Sequence, residues 1–260
     1  MTSLFILLGK WWITFLYFLG GLSSLISQSF YQAIFPPYKK ERIWEQVEKT
    51  GVESFPIVAI ISLFIGIILA LQTAYQMQRL GNEMYIANIV ALSLVRELGP
   101  VITGLVVGGR NGAAITAEIG SMQVTEQIDA LETLATNPIK YLVVPRFLAM
   151  CITLPLLTLY ADAIGIFGGF LICTNKLGIP PQIYWQVTRD AVLFKDLFTG
   201  LVKTVFFGMI IAFVSCYEGF NVQGGAEGVG KATTRSVVET FILIIAADCF
   251  FTALFYFIFP

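Results

Sequence analysis

The stretch SLVRELGPVITGLVVGGRNGAAITAEIGSMQVTEQIDALETLATNPIKYLVVPR, residues 93–146, decides how this chain folds. It begins as an apolar helix that carries two adjacent charges, Arg96 and Glu97, and it continues into a polar segment that ends at Asn137-Pro138. A second apolar run follows directly. This order predicts a chain that leaves a membrane, forms a surface helix and enters the membrane again.

The composition of the whole chain agrees with a membrane protein. Of its 260 residues 57% are hydrophobic and 13% are charged, and the mean hydropathy is +0.79. Soluble domains have about 25% charged residues. We therefore predict an all-α membrane protein with a single domain, residues 1–260. The net charge of −1 gives no reason to expect a nucleic-acid partner.

Hydropathy predicts five membrane-spanning helices. They are residues 55–77, 85–107, 142–173, 197–217 and 237–259, and residues 111–138 form a polar segment between the second and third spans. Residues 1–37 are apolar but interrupted by Lys10, two glycines and several serines. Hydropathy alone leaves it open whether residues 1–37 cross the membrane or lie in its plane. We expect Pro36-Pro37 to end this segment.

Two matches to the capping-box pattern S/T-x-x-E, Thr50–Glu53 and Ser236–Glu239, predict helix starts just before the first and fifth spans. Residues 218–236 are rich in glycine and are predicted to form a flexible loop. Within them GAEGVGK, residues 225–231, fits the phosphate-loop pattern G-x-x-x-x-G-K. The following Ala232 lacks the hydroxyl that binds magnesium, and a span precedes the motif in place of a strand, so we predict no phosphate-binding loop.

The distribution of Lys and Arg predicts the orientation in the membrane. Ten basic residues collect on one side of the predicted topology and four on the other. The ten are Lys10, Lys39, Lys40, Arg42, Lys49, Arg110, Lys140, Arg146, Lys231 and Arg235, and the four are Arg79, Lys176, Arg189 and Lys195. We therefore predict that the N-terminus and residues 111–138 are cytoplasmic and that the C-terminus is outside.

Charged residues inside spans mark candidate sites, because such groups are costly in lipid and usually face a cavity or a partner. Arg96 and Glu97 point about 100° apart on a helix, so at least one should bond elsewhere. They could line a pathway or form a structural ion pair between helices. Pro100 should free the Arg96 carbonyl. Asp248 is a second candidate polar site, and Lys203 is expected to extend its amine to the membrane surface.

Small residues and amides pattern two of the predicted spans. Gly104, Gly108 and Gly112 recur at every fourth position, which allows another helix to approach closely. In the first span a face of Leu69, Gln72 or Thr73, Gln76 and Leu80 mixes apolar and amide groups. A face of this kind could line a cavity filled with water or with an amphiphile.

The polar segment predicts a docking helix. Val124, Ile128, Leu131 and Ala135 fall on one helical face, and Glu126, Gln127, Asp129 and Glu132 occupy the rest. Such a short helix suits a basic or apolar groove on a soluble protein. The alternative is a helix that rests on lipid, but its acidic rim argues against contact with an anionic leaflet.

The chain offers little for catalysis or metal binding. It has no histidine, and its four cysteines, Cys151, Cys173, Cys216 and Cys249, are far apart within apolar spans. Asp162 with Asp248 could suggest an intramembrane aspartyl protease, but no motif supports it. We predict no catalytic residue, no metal site and no enzyme. A permease for a small polar solute and an intramembrane enzyme remain as alternatives.

Five motifs together resemble the MlaE permease family, the membrane subunits of lipid-transporting ABC systems that work with MCE-domain proteins. They are RELGP (96–100), GRNGAAITAEIGSMQVTEQIDAL (109–131), NP (137–138), LVVPR (142–146) and VGKATTRSVV (229–238). The resemblance implies transport of phospholipid, or a related lipid, between the inner membrane and an external MCE-domain protein. Residues 1–37 would then form an interfacial helix.

The resemblance also implies partners and site residues. It implies a homodimer docked on a separate ABC ATPase subunit, a ring of MCE-domain proteins outside, and often a STAS-domain protein on the ATPase. ATP and Mg would bind to the ATPase, with no cofactor in this chain. The lipid-binding candidates are Leu69, Gln76, Met77, Leu80, Arg96, Glu97 and Leu98. The ATPase-docking candidates are Glu126, Gln127, Asp129, Leu131, Glu132 and Leu134.

Overall fold

The computed structural model describes residues 2–34, 40–82 and 85–258, with the backbone alone for residues 2–11, 14 and 15. Eight helices follow one another in these ranges. They are α1 (Thr2–Ile34), α2 (Lys40–Leu80), α3 (Tyr85–Val124), α4 (Gln127–Thr133), α5 (Ile139–Asn175), α6 (Pro181–Ala191), α7 (Phe194–Phe220) and α8 (Gly225–Ile258). No strand occurs among the residues that the structure describes.

Five of the helices, α2, α3, α5, α7 and α8, are long and apolar enough to cross a membrane. The prediction of an all-α membrane protein with five such helices is therefore confirmed. α2 and α8 begin several turns before the predicted apolar runs and α3 ends several turns after its run, whereas α5 and α7 extend by at most three residues at each end.

The predicted capping box at Thr50–Glu53 is wrong, because α2 already begins at Lys40 and passes through both residues. Thr50 is buried in the helix interior, and its carbonyl oxygen accepts a hydrogen bond from the Asn111 side chain at 3.2 Å. Glu53 pairs with Arg110 instead of capping a helix. Tertiary contacts with α3 thus use the groups that the sequence pattern assigned to a helix start.

The predicted loop over residues 218–236 is also wrong. α7 continues to Phe220 and α8 begins at Gly225, so the turn is short. Gly224 and Gly225 have φ values of 90° and 67°, which suit glycine and reverse the chain within a few residues. Residues 225–231, the rejected phosphate-loop match, form the first turns of α8, and Ser236 is buried inside it, where it caps no helix.

The helices pack closely where glycines meet. A side chain on Gly66 of α2 would collide with the Gly165 carbonyl of α5, and one on Gly168 would lie 2.5 Å from the Leu63 carbonyl oxygen. α5 continues through Pro155 without ending. The close backbone contact between α2 and α5 forms one side of the bundle.

α1 packs its second half on the ends of α5 and α7. Leu25 and Ser29 are buried there, and the Phe30 ring lies 5.2 Å from Phe147, which stacks on Phe213 at 4.9 Å. That α1 lies in the membrane plane stays a prediction, and the predicted end at Pro36-Pro37 falls outside the described residues.

α8 is the least covered of the long helices. Only 6% of its most apolar stretch is buried, against 61% for α5. Its outward apolar side chains include Ile242, Ile245 and Phe250, which are each more than half exposed. This face is therefore free in a single chain to contact lipid or another chain.

Candidate functional site

A lysine and two carboxylates meet where α3, α7 and α8 come together. Lys203 Nζ of α7 lies 2.6 Å from Glu97 Oε2 of α3 and 3.0 Å from Asp248 Oδ1 of α8. It also donates to Thr252 Oγ1 at 2.7 Å. The Lys203 side chain is only 2% exposed, whereas Glu97 is 38% exposed. We call Glu97, Lys203, Asp248 and Thr252 the Lys203 cluster; it ties three helices together.

The backbone of α3 is adapted to this cluster. Residues Leu94–Leu98 form a π-helical turn, a distortion that often accompanies functional sites. Pro100 has no amide to bond the Arg96 carbonyl in a regular α-helix. Lys203 Nζ lies 3.3 Å from that carbonyl oxygen, so the expectation that Pro100 frees it is confirmed.

Arg96 and Glu97 bond to different partners, as their angular separation predicts. Arg96 Nε lies 3.6 Å from Asp196 Oδ1 at the start of α7. Asp196 also caps that helix, because its other carboxylate oxygen accepts the Leu193 amide at 3.3 Å. The Arg96 side chain remains 45% exposed. One cation and one carboxylate, both partly exposed, thus stand next to each other within a candidate span.

The apolar lipid-binding candidates lie in the second half of α2 and the first half of α3. Leu69, Met77 and Leu98 are partly buried against one apolar cluster that contains Val90, Leu94 and Tyr184. Gln76 and Leu80 are exposed on α2. The structure brings three of the candidates to a common apolar wall and leaves two on the surface; that they bind lipid stays a prediction.

Sequence reasoning missed part of the cluster. The expectation that Lys203 extends to the membrane surface is wrong, because its amine is buried among two carboxylates and a hydroxyl. Asp248 was correctly singled out as a polar site. The available signal for Lys203 was the requirement that two intramembrane carboxylates have a cation; Thr252 and Asp196 carry no comparable signal in the sequence.

Asp162 is separate from the Lys203 cluster. It is 6% exposed in α5, and its Oδ1 has no hydrogen-bond partner. This oxygen lies directly against Gly99 of α3, where any side chain would collide with it. No hydrogen bond or ion pair joins Asp162 to Asp248 in the described structure, so nothing there resembles a paired-aspartate catalytic site.

The polar segment contains a shorter helix than predicted. α3 ends at Val124, Glu126 adopts a left-handed conformation with φ of 58°, and α4 covers only Gln127–Thr133. The single apolar face predicted across four positions is therefore wrong at its ends: Val124 is 39% exposed and Ala135 has a left-handed φ of 55°. The abrupt turn rotates α4 relative to α3.

α4 faces the bundle with two apolar residues and the surroundings with acids. Ile128 is buried and Leu131 is partly buried against the main apolar core. The other docking candidates, Glu126, Gln127, Asp129, Glu132 and Leu134, are exposed. Leu131 thus supports α4 from within, and the remaining candidates form an exposed acidic surface.

A cavity of about 760 Å³ lies beside α4 and beneath α1. Asp129 and Glu132 line it, together with Gln28 of α1 and Asn137. Asn137 Oδ1 accepts hydrogen bonds from the amides of Ile139 and Lys140, at 2.9 and 3.3 Å, and so starts α5. The cavity adds a concave, acidic border to the exposed surface of α4.

A second group of charges joins α2, α3 and α5 at the end of the bundle near α4. Glu118 of α3 pairs with Lys49 of α2 at 3.0 Å and with Arg146 of α5 at 2.9 Å. Arg146 is buried and also donates to the Leu142 carbonyl at 2.8 Å. We call Lys49, Glu118 and Arg146 the Glu118 cluster. A separate pair nearby joins Arg110 to Glu53 at 2.6 Å.

Metal chemistry finds no support among the described residues, which contain no group of three or more potential side-chain ligands. All four cysteines are free thiols.

Comparison with known proteins agrees with these features. The sequence profile of the family described as "Permease MlaE" matches residues 43–254. A "Probable ABC transporter permease protein" of Rickettsia typhi is 46% identical over 250 residues, covering 95% of this chain and 96% of the relative.

Two further relatives come from distant organisms. The "Intermembrane phospholipid transport system permease protein MlaE" of Haemophilus influenzae is 37% identical over 211 residues, 81% of each chain. The chloroplastic protein "TRIGALACTOSYLDIACYLGLYCEROL 1" of Arabidopsis thaliana is 38% identical over 212 residues, 82% of this chain and 61% of the relative. With a family profile that covers most of its length, this chain belongs to the MlaE permease family, whose members are ABC transporter permeases.

Proposed function

We propose that this permease moves phospholipid between the inner membrane and an external MCE-domain protein, driven by ATP hydrolysis on a separate ATPase subunit. The observation that carries the proposal is the Lys203 cluster, a charged junction of three helices inside candidate membrane spans. Charges at such positions usually serve a pathway. The name of the Haemophilus influenzae relative supports phospholipid as the transported molecule.

The geometry suits an amphiphile. Arg96 and Glu97 are 45% and 38% exposed, so they can meet the phosphate and the polar groups of a headgroup. Leu69, Met77 and Leu98 offer an apolar wall to acyl chains. Gln76 and Leu80 would extend this surface along α2. A small polar solute would gain no favourable contact from this apolar wall.

The ATPase would dock on α4. Its exposed acids, Glu126, Asp129 and Glu132, fit a basic groove, and the neighbouring Leu134 is 74% exposed. ATP and Mg would then bind to the ATPase, and this chain would act as a transport subunit without catalysis. Residues 111–138 and the N-terminus are on the cytoplasmic side in this proposal.

The remaining partners in this proposal are those that the resemblance to the MlaE permease family implies. The uncovered face of α8 supports a homodimer in which the two permeases enclose the lipid. A ring of MCE-domain proteins would receive or deliver lipid outside, and a STAS-domain protein could accompany the ATPase.

The lipid pathway is tested by reconstituting the complex with its ATPase in vesicles that contain fluorescent phospholipid. Glu97→Ala should lower ATP-dependent transfer by at least about tenfold, the factor expected from losing a charged hydrogen bond of 1.5–3 kcal/mol. Glu227→Ala is the control, because that exposed carboxylate pairs with Lys231 one turn away on the same helix. Equal transfer by both variants would contradict the proposal, as would purified permease that carries no phospholipid in mass spectrometry.

The docking surface is tested by charge reversal. Asp129→Lys with Glu132→Lys should reduce the amount of ATPase that copurifies with the permease, because a basic groove would then meet like charge. Asp190→Lys on α6 is the matched control at an exposed acid far from α4 in the sequence. Undiminished ATPase recovery with the double variant would rule out docking through α4.

A further inference from the structure

Between the Lys203 cluster and the α4 end of α3, the helices α3, α7 and α8 remain in contact along a row of glycines, Gly104, Gly108 and Gly112. A side chain on Gly104 would lie 3.2 Å from Phe207 of α7 and 3.6 Å from Ile244 of α8. Gly108 similarly faces Thr240 of α8 at 3.0 Å. α3 therefore packs into the groove between two helices at once, and the small residues allow that fit.

The row ends in a buried cluster of three hydroxyl residues. Thr116 Oγ1 of α3 lies 2.8 Å from Ser236 Oγ of α8, 3.1 Å from the Ser215 carbonyl oxygen of α7 and 3.0 Å from the Gly112 carbonyl oxygen of its own helix. The single Thr116 proton is therefore donated to one of these oxygens, and Thr116 Oγ1 can accept the proton of Ser236. Ser236 Oγ also lies 3.4 Å from Ser215 Oγ. All three residues are fully buried. We call them the hydroxyl junction.

The hydroxyl junction lies on the last turns of α3 before the chain turns into α4. The Thr116 side chain contacts both α7 and α8. Without the Thr116 hydroxyl, the buried Ser236 hydroxyl would lose its partner on α3, and α3 would lose its side-chain contact with the Ser215 carbonyl of α7. The junction thus favours one relative position of α3, α7 and α8.

We propose that Thr116 is a positioning residue that holds the base of α4 in register with α7 and α8, so that movement at α4 reaches the Lys203 cluster. The three helices are fastened by polar groups at two places, the Lys203 cluster and the hydroxyl junction, with the glycine row between them. A displacement of α4 is then shared by all three helices instead of being absorbed by bending of α3 alone. This inference rests on the proposed function for its consequence in transport.

The test compares Thr116→Val, which keeps the shape and removes the hydroxyl, with Thr116→Ser, which keeps the hydroxyl. In the reconstituted complex Thr116→Val should lower lipid transferred per ATP hydrolysed by at least about fivefold, which corresponds to one hydrogen bond of ordinary net strength. Thr116→Ser should transfer nearly as much lipid per ATP hydrolysed as the unmodified protein. Thr158→Val is the control, because Thr158 is equally buried in α5 and its hydroxyl donates to the Leu154 carbonyl of the same helix.

A second measurement does not depend on transport. Hydrogen exchange of the permease in nanodiscs should become faster over residues 113–138 in Thr116→Val and should stay unchanged there in Thr116→Ser and Thr158→Val. Unchanged exchange in Thr116→Val, or an equal loss of transfer per ATP in all three variants, would overturn the positioning role. If the unmodified complex moves no lipid with ATP, the proposed function fails while the exchange measurement still decides the role of Thr116.

Discussion

The Lys203 cluster and the Glu118 cluster use the same chemistry in different surroundings. In the first, a buried ammonium bonds to two carboxylates from different helices. In the second, a carboxylate that is 39% exposed bonds to one buried and one half-exposed cation. In the Lys203 cluster the residue that pairs with both others is buried, whereas in the Glu118 cluster that residue is partly exposed and only one of its two partners is buried.

The difference between the clusters indicates which charges contribute most to the stability of the fold. Exposed ion pairs contribute about 0–1 kcal/mol, whereas removing one member of a buried pair costs about 3–5 kcal/mol because an unpaired charge remains. Variants that break these ion pairs should therefore rank by how deeply the broken pair is buried, although the ion-pair distances in both clusters are near 3 Å.

The largest effect is expected for Lys203→Met. Glu97 and Asp248 would then face each other without a cation, and the free energy of unfolding should fall by about 3–5 kcal/mol. Thermal unfolding of the purified permease in detergent measures this. Adding Asp248→Asn to Lys203→Met should recover part of the loss.

The matched control is Lys231→Met, which removes an exposed lysine paired with Glu227 on the same helix. It should change stability by less than about 0.5 kcal/mol. A Lys203→Met protein that unfolds at the same temperature as Lys231→Met would show that burial does not set the ranking.

An intermediate effect is expected for Arg146→Met. The Arg146 side chain is 5% exposed, and its loss leaves Glu118 with Lys49 as a remaining partner. We expect a loss of about 1–3 kcal/mol, the cost of a broken charged hydrogen bond. Thermal unfolding beside Lys203→Met is the measurement, and a loss larger than that of Lys203→Met would reverse the predicted order.

The smallest effect is expected for Glu53→Gln. Its pair with Arg110 has side chains that are 55% and 34% exposed, so removing the charge should cost at most about 1 kcal/mol. Raising the salt concentration from about 0.05 M to about 1 M should remove most of this difference in stability, since the screening length falls to about 3 Å. Stability differences that survive at high salt would place Glu53 with the buried charges.

The sequence predicted the five apolar helices because membrane spans leave a direct hydropathy signal. It misplaced the starts of α2 and α8, since the capping patterns at Thr50–Glu53 and Ser236–Glu239 also occur inside longer helices. The start of α4 was equally hidden, because the left-handed turn at Glu126 interrupts a periodicity that looks continuous in the sequence. A local sequence pattern does not show whether the same side chains make tertiary contacts in the folded protein.

For the site, the sequence could identify the charged residues but not their pairing. Arg96, Glu97 and Asp248 were visible as charges within apolar runs, and Pro100 predicted a free carbonyl. Lys203 is separated from Glu97 by more than a hundred residues, and only the fold brings them within 2.6 Å. The acidic residues of α4 were predicted as an exposed group and are exposed, whereas Leu131 is turned toward the core.

The uncovered face of α8 has a thermodynamic consequence. Lipid tails are as apolar as Ile242, Ile245 and Phe250, so covering these residues with another chain gains little from the hydrophobic effect. Close fit between the surfaces must supply the attraction. Association through this face would then be governed by the mole ratio of permease to lipid, and diluting the protein with additional lipid would separate the chains even when its concentration in the sample is unchanged.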